Sequence, residues 1–195
     1  MVNESKNLLG GFNEKMPALL SNLDGTERSA LSWTIDDIIE SAAFDDTPLD
    51  IRKSFYPIYD PSLGNCFSFN NRKYARPYKV TNIGQNSGLS VRVKVNTSEL
   101  TPWAEKASVL VFVHPLGSDV FKESKSFAAR AGEVQTEWFK VITRKMSDSW
   151  LDKCAKSTAD AQSYYFPGAY SVDGCLRSCY QDVVLKKCGC MDGSY

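Results

Sequence analysis

Four of the chain's six cysteines lie between Cys175 and Cys190, spaced C-x3-C-x8-C-x-C, and this stretch limits what the chain can fold into more than any other. Val172, Cys175, Cys179 and Val183 recur at i, i+3, i+7 and i+11, the spacing of one helical face. Cys175 and Cys179 therefore share a face one turn apart. Asp173 falls in the first turn and Lys186 and Lys187 in the last, where the helix dipole favours them. Gly189 then supplies a residue suited to a left-handed stop. The spacing predicts a short helix with two thiols on its buried side, its end pinned by Cys188 and Cys190.

Three chemistries use such a set. A structural disulfide staple fits four clustered cysteines with no histidine among them. A zinc site of thiolates is the second, although zinc ribbons pair two C-x2-C knuckles and this spacing differs. A catalytic thiol is the third. It needs a base, and the single histidine, His114, lies far upstream in an apolar run, where it reads as a strand-end residue.

A chain of 195 residues holds one ordinary domain or part of a larger one. Its 43% hydrophobic and 12% aromatic content calls for a packed core. Lys plus Arg and Asp plus Glu balance at 23 each, so no basic stripe points to nucleic acid or to an anionic membrane surface. The longest apolar run, Val109–Val113, falls far short of the roughly 20 residues of a spanning helix. The N-terminus lacks the basic and apolar regions of a secretory leader. Six cysteines and two glycosylation sequons, at Asn3 and Asn96, nonetheless point to an oxidising compartment. A fragment or an incomplete gene product reconciles the two. No cofactor is expected.

Along the chain, Pro17 reads as the first residue of a short helix that Asp24-Gly25 ends. Residues 27–43 read as a helix with the apolar stripe Leu31, Ile35, Ile38, Ile39 and Ala42, and with Thr34 and Asp37 as a capping pair at which it starts or breaks. Asp36, Asp37 and Glu40 fall off that stripe, so they read as a solvated face rather than a cation site. Phe55, Tyr56, Tyr59, Phe67, Phe69, Tyr74 and Tyr78 read as core. Gly64-Asn65 turns into a strand at Cys66–Phe69. Residues 88–95 alternate, with Leu89, Val91, Val93 and Val95 inward and Ser90, Arg92 and Lys94 outward. Residues 107–114 and 133–144 read as two further strands. Strands with helices set apart at the ends give an α+β fold with a mainly antiparallel sheet.

The cysteine stretch, YSVDGCLRSC followed by CGC, resembles the signature of the epithelial sodium channel and degenerin family, YS-x-x-x-C-[LR]-x-x-C…CGC. The family's upstream G-N-C-[YF]-[ST]-F-N motif is matched by GNCFSFN at 64–70, and its intervening segments by GLSVRV at 88–93, VFVH at 111–114 and GEVQT at 132–136, in the same order. The resemblance runs from about Thr34 to Cys190. It implies an incomplete, disulfide-dependent ectodomain: a finger-like part at about 27–60, palm and β-ball strands at 64–144, and the start of a cysteine-rich thumb at 150–190. Two departures stand out. The family's cysteine pair after the first helix is replaced by Ala42 and Leu49, although its aromatic remains as Phe44. The family's proline-rich loop is replaced by KMSDSWLDKC at 145–154, which leaves Trp150 near the aromatic that couples thumb to pore helices.

The resemblance further implies that Cys66 pairs with a cysteine just after a first membrane helix. Cys154, Cys175, Cys179, Cys188 and Cys190 would pair with cysteines of a second thumb helix and the strand beyond, so every partner lies outside these residues. It implies homo- or heterotrimers at the plasma membrane, a sodium pore blocked by amiloride, no enzymatic activity, and an extracellular part that senses a ligand, matrix contact or load. A secreted disulfide-rich binding or adhesion module on the same scaffold is the rival reading.

Overall fold

Asp24 caps the first helix of the element series. Its carboxylate accepts from the backbone N–H groups of Thr26 and Glu27, each at 2.8 Å, while Glu27 accepts from the Asp24 N–H at 3.0 Å. The computed structural model describes residues 15–17, 19–71, 77–81, 84, 87–99, 107–137, 139, 142, 155 and 157–193. Residues 15–17 and 19–20 are helical, consistent with a short helix ahead of Asp24. The elements that follow are α1 (Gly25–Ala30), α2 (Ile35–Ile38), β1 (Ile39–Phe44), β2 (Thr47–Pro48), α3 (Ile51–Ser54), β3 (Phe55–Asp60), β4 (Gly64–Phe69), β5 (Leu89–Val93), β6 (Ser108–Phe112), β7 (Ser126–Arg130) and α4 (Val172–Cys188). Every strand pair is antiparallel: β2-β1-β5, β3-β4 and β6-β7. The chain is thus a mixed helical and antiparallel fold, as expected.

The helix expected over 27–43 is instead two short helices and a strand. Thr34 does cap α2, its N–H donating to the Asp37 carboxylate at 2.8 Å. At Ile39 the chain turns extended and pairs with β5. A register shift between Ile39 and Ser41 inserts one residue, so the inward positions Ile39 and Ala42 stand three apart. A bulged strand thereby shows the spacing of a helix. Leu31, assigned to the same stripe, is 69% exposed. Asp36, Asp37 and Glu40 are exposed, as expected, and Asp36 pairs with Arg52 at 2.6 Å.

Ile39, Ala42 and Phe55 form the buried core, with Ile35, Ile38, Leu49, Ile51, Phe67, Phe69 and Val91 packed against it. Phe69 stands at the centre of a ring cluster, with centroids 4.8 Å from Tyr78, 5.5 Å from Phe55 and 5.8 Å from Phe44. Of the expected aromatic core, Tyr74 lies outside the described residues. In β5, Val91 and Val93 are half-buried while Ser90, Arg92 and Lys94 are exposed. Leu89 departs from the alternation at 43% exposed, because it lies at the open end of the ladder opposite Phe44. The expected strand at 107–114 appears as β6. Its partner is β7. Of the strand expected over 133–144, residues 133–137 are irregular and exposed, and Trp138 and Val141 lie outside the described residues. Val134, Phe139 and Ile142 are 98%, 58% and 65% exposed, and the Phe139 ring lies 6.3 Å from that of Phe127 in β7.

Candidate functional site

The motif GNCFSFN works through its two asparagines. Gly64 sits at φ +77°, and a Cβ there would meet the Ser32 Oγ at 3.1 Å, so glycine both makes the turn and lets the α1–α2 segment approach. Asn65 then grips that segment. Its Nδ2 donates to the carbonyls of Ser29 at 2.9 Å, Trp33 at 3.2 Å and Ser32 at 3.4 Å, while its Oδ1 accepts from the Ser29 Oγ at 2.9 Å. Asn70, at φ +57°, binds both backbone groups of Tyr78, accepting from its N–H at 2.8 Å and donating to its carbonyl at 3.1 Å. Sequence reasoning read Gly64-Asn65 as a turn and missed these staples, though two asparagines flanking Cys66–Phe69 were the available signal. Between them, the Cys66 thiol is pushed up to about 11 by burial and by the nearby Asp60 carboxylate. A thiol so held stays protonated at neutral pH.

The helix α4 forms as its sequence predicts. The Ser171 hydroxyl accepts from the Gly174 N–H at 3.1 Å, and Gly189, left-handed at φ +73°, donates to the Leu185 carbonyl at 2.9 Å. Its buried side is the opposite of the one expected. Gly174, Ser178 and Gln181 are buried, whereas Cys175 is half-buried and Cys179, Cys188 and Cys190 are exposed, with Val172 and Val183 67% and 46% exposed.

The polar side faces inward because the chain's own covering segment offers polar partners. The Ser178 hydroxyl donates to the Gly174 carbonyl at 2.8 Å and accepts from the Tyr165 N–H at 3.1 Å. The Asp182 carboxylate accepts from the hydroxyls of Ser163 and Tyr165, the latter at 2.6 Å. Those two bonds, Ser163 first, hold Asp182 below the ordinary aspartate range, and the bond to Asp182 holds the Tyr165 phenol above its own. The Gln181 amide pairs with both backbone groups of Asp192 at 2.9 Å, folding the tail back along the helix. On a third flank Arg177 lies over the Phe121 ring at 4.4 Å and ion-pairs with Glu123. Partial burial pushes the Glu123 carboxyl up, but the Arg177 hydrogen bond, a backbone bond and the charges of Arg177 and Lys122 together outweigh this and keep it low. The loop between β6 and β7 also reaches this segment, where the Asp119 carboxylate accepts from the Gly168 N–H at 2.7 Å.

The five described cysteines are free thiols. Cys175 meets Tyr170, whose phenol the thiol contact pushes up. His114 lies exposed beyond β6, its Nδ1 3.1 Å from the Pro115 carbonyl oxygen. Among the described residues no three His, Cys, Asp or Glu side chains converge on a metal-sized site, and no helix is long and apolar enough to cross a membrane. Asn96 is exposed in a turn after β5. Asn3, Trp150 and Cys154 lie outside the described residues.

Residues 3–195 match the family described as amiloride-sensitive sodium channel. The chain is 29% identical to degenerin mec-10 of Caenorhabditis elegans over 89% of its length and 24% of the relative's. It is 32% identical to degenerin mec-4 of Caenorhabditis briggsae over 89% of its length and 22% of the relative's. It is 28% identical to degenerin deg-1 of Caenorhabditis elegans over 95% of its length and 24% of the relative's. It therefore spans about a quarter of the length of these curated relatives. With almost every residue inside the family match and the GNCFSFN and cysteine-helix motifs both built into the fold, the chain belongs to the amiloride-sensitive sodium channel family, the epithelial sodium channels and degenerins, a family of ion channels and not of enzymes.

Proposed function

We propose that this chain is the sensing and gating part of the extracellular domain of a sodium channel subunit. Residues 27–60 would form its finger-like part, 64–144 its palm and β-ball strands, and 150–190 the start of its thumb. One observation carries the reading: α4 docks by its polar side and turns Cys179, Cys188 and Cys190 outward. A helix that presents thiols away from its own support is placed to be cross-linked to a further layer. In this proposal Cys66, Cys154, Cys175, Cys179, Cys188 and Cys190 all bridge to cysteines beyond these residues, and Trp150 couples the thumb base to the pore helices.

The subunits assemble as homo- or heterotrimers in the plasma membrane, and the pore passes sodium and is blocked by amiloride. The extracellular part shifts a closed–open equilibrium by contacting its stimulus differently in the two states. The loop of β6 and β7 and the helix α4, joined through Glu123–Arg177 and Asp119–Gly168, supply a physical link along which such a bias travels. Sodium current recorded from oocytes expressing the longer subunit tests the reading. An amiloride-sensitive inward current is expected. A subunit that reaches the cell surface and conducts no sodium, alone or beside degenerin subunits, overturns it.

A further inference from the structure

Asn96 begins the sequon Asn96-Thr97-Ser98, at the point where β5 has ended and the chain enters a single 3-10 turn, Thr97–Glu99. Asn96 and the three residues of this turn are exposed. The Asn96 side chain is held by its own neighbours. Its Oδ1 accepts from the Ser98 hydroxyl at 2.7 Å and from the Ser98 N–H at 3.2 Å, and its Nδ2 donates to the Glu99 carboxylate at 2.8 Å. The turn is therefore local in sequence, so a nascent chain can form it before β5 finds β1.

We propose that Asn96 is an N-glycosylation site of this protein; the inference rests on the extracellular placement proposed above. In the turn the hydroxyl of the +2 residue lies against the acceptor amide, and the Ser98 donors polarise its carbonyl. The co-reactant is an oligosaccharide carried on a lipid pyrophosphate. The Asn96 Nδ2 attacks the first sugar carbon, the C1–O bond to the pyrophosphate breaks, the lipid pyrophosphate departs with the bonding pair, and the nitrogen gives one proton to a base of the transferring enzyme. The second N–H of the amide remains to hold Glu99. The native fold accommodates the product. The last bridged residue of β5 is Val93, opposite Ile39, so the glycan stands outside the ladder. Beside it lies a shallow groove formed by Trp33, Asp37, Lys94, Val95 and Glu99, with room for the first sugar on a mainly polar floor.

The test translates the full chain behind a secretory leader in the presence of microsomes and reads only the protease-protected fraction. Release by peptide N-glycosidase in heavy-oxygen water then marks each occupied asparagine. The label is expected at Asn96, lost in Ser98→Ala and kept in Ser98→Thr. Thr97→Ala, which leaves the sequon intact, keeps it. A protected chain without label at Asn96, or a label that survives Ser98→Ala, overturns the proposal. The leader delivers the chain to the lumen whatever its native topology, so this failure is distinct from failure of the channel reading, which the sodium current registers.

Discussion

At the scale of single residues, Asn65 does more for the architecture than its place in a turn suggests. One half-buried amide closes off three carbonyls at the end of α1 and takes a hydroxyl in return. Those carbonyls belong to the α1–α2 connection, whose helices carry no buried residue of their own. Since α2 packs Ile35 and Ile38 against the core, it is the position of α1 that depends more on this side chain than on packing. Asn65→Ala removes the Asn65 donor from all three carbonyls, of which that of Ser29 keeps the Ser32 N–H, a loss of about 1–3 kcal/mol. The expected outcome is a local one. In the longer subunit the amides of Leu31 and Ser32, which donate to Glu27 and Ser29, exchange with solvent about tenfold faster or more, while the β3–β4 ladder keeps its protection. Hydrogen exchange followed by mass spectrometry reads both segments in one experiment. Equal acceleration in the two would mean that Asn65 supports the whole sheet instead.

At the scale of elements, α4 is held by hydroxyl–carboxylate bonds that titrate at both ends of the pH range. Asp182 has its folded value depressed, so its contribution is present above the ordinary aspartate range and is lost as pH falls through the folded value. Tyr165 has its folded value raised above the ordinary value of about 10, so its contribution is present below that and is lost as pH rises through the folded value. The Ser163–Asp182–Tyr165 clamp is thus expected to stay closed from below the aspartate range to above the tyrosine range. Tyr165→Phe should move the Asp182 carboxyl upward and remove the alkaline limb, which NMR titration of the labelled carboxyl and ring carbons would follow. An Asp182 titration unchanged by Tyr165→Phe would show that the bond contributes nothing. How α4 lies against the chain was only half legible in the sequence. Its charges and its stop were explicit, since Asp173, Lys186, Lys187 and Gly189 act locally; the Ser171 cap was not read. Its buried face was not, because that depends on the hydroxyls of Ser163 and Tyr165, which periodicity does not register. The β1 bulge misled for a related reason: one inserted residue converts a period of two into a spacing of three. In β7, Ser126–Arg130 carries too little alternation to announce a strand, and only the apolar edge of β6 recruits it.

At the scale of the whole molecule, the described core is small for the chain that carries it. Among the described residues the buried hydrophobic ones are Ile39, Ala42, Phe55 and Phe121, while Leu176, Tyr180, Val183 and Leu185 of α4 remain 64%, 44%, 46% and 41% exposed. Covering that face would turn an outward apolar and thiol-bearing surface into interior, and the proposed bridges are what would fasten the cover. Local geometry weighs against closure within the helix. Side chains four apart on a helix have Cβ atoms roughly 5–6 Å apart, whereas a disulfide requires about 3.8 Å, so Cys175–Cys179 is a poor bridge. Cys188-Gly189-Cys190 would close a strained ring. Each absent bridge forgoes about 2–4 kcal/mol, and several together rival the 5–15 kcal/mol that stabilises a typical domain. The isolated 195-residue chain, expressed in an oxidising compartment, is therefore expected to show a broad, weakly cooperative melt and heterogeneous or intermolecular disulfides. In the longer subunit, peptide mapping by mass spectrometry is expected to join Cys66, Cys175, Cys179, Cys188 and Cys190 each to a cysteine outside this segment. Three homogeneous internal bridges in the isolated monomer, together with a cooperative melt, would refute this and move the protein toward a self-sufficient secreted module.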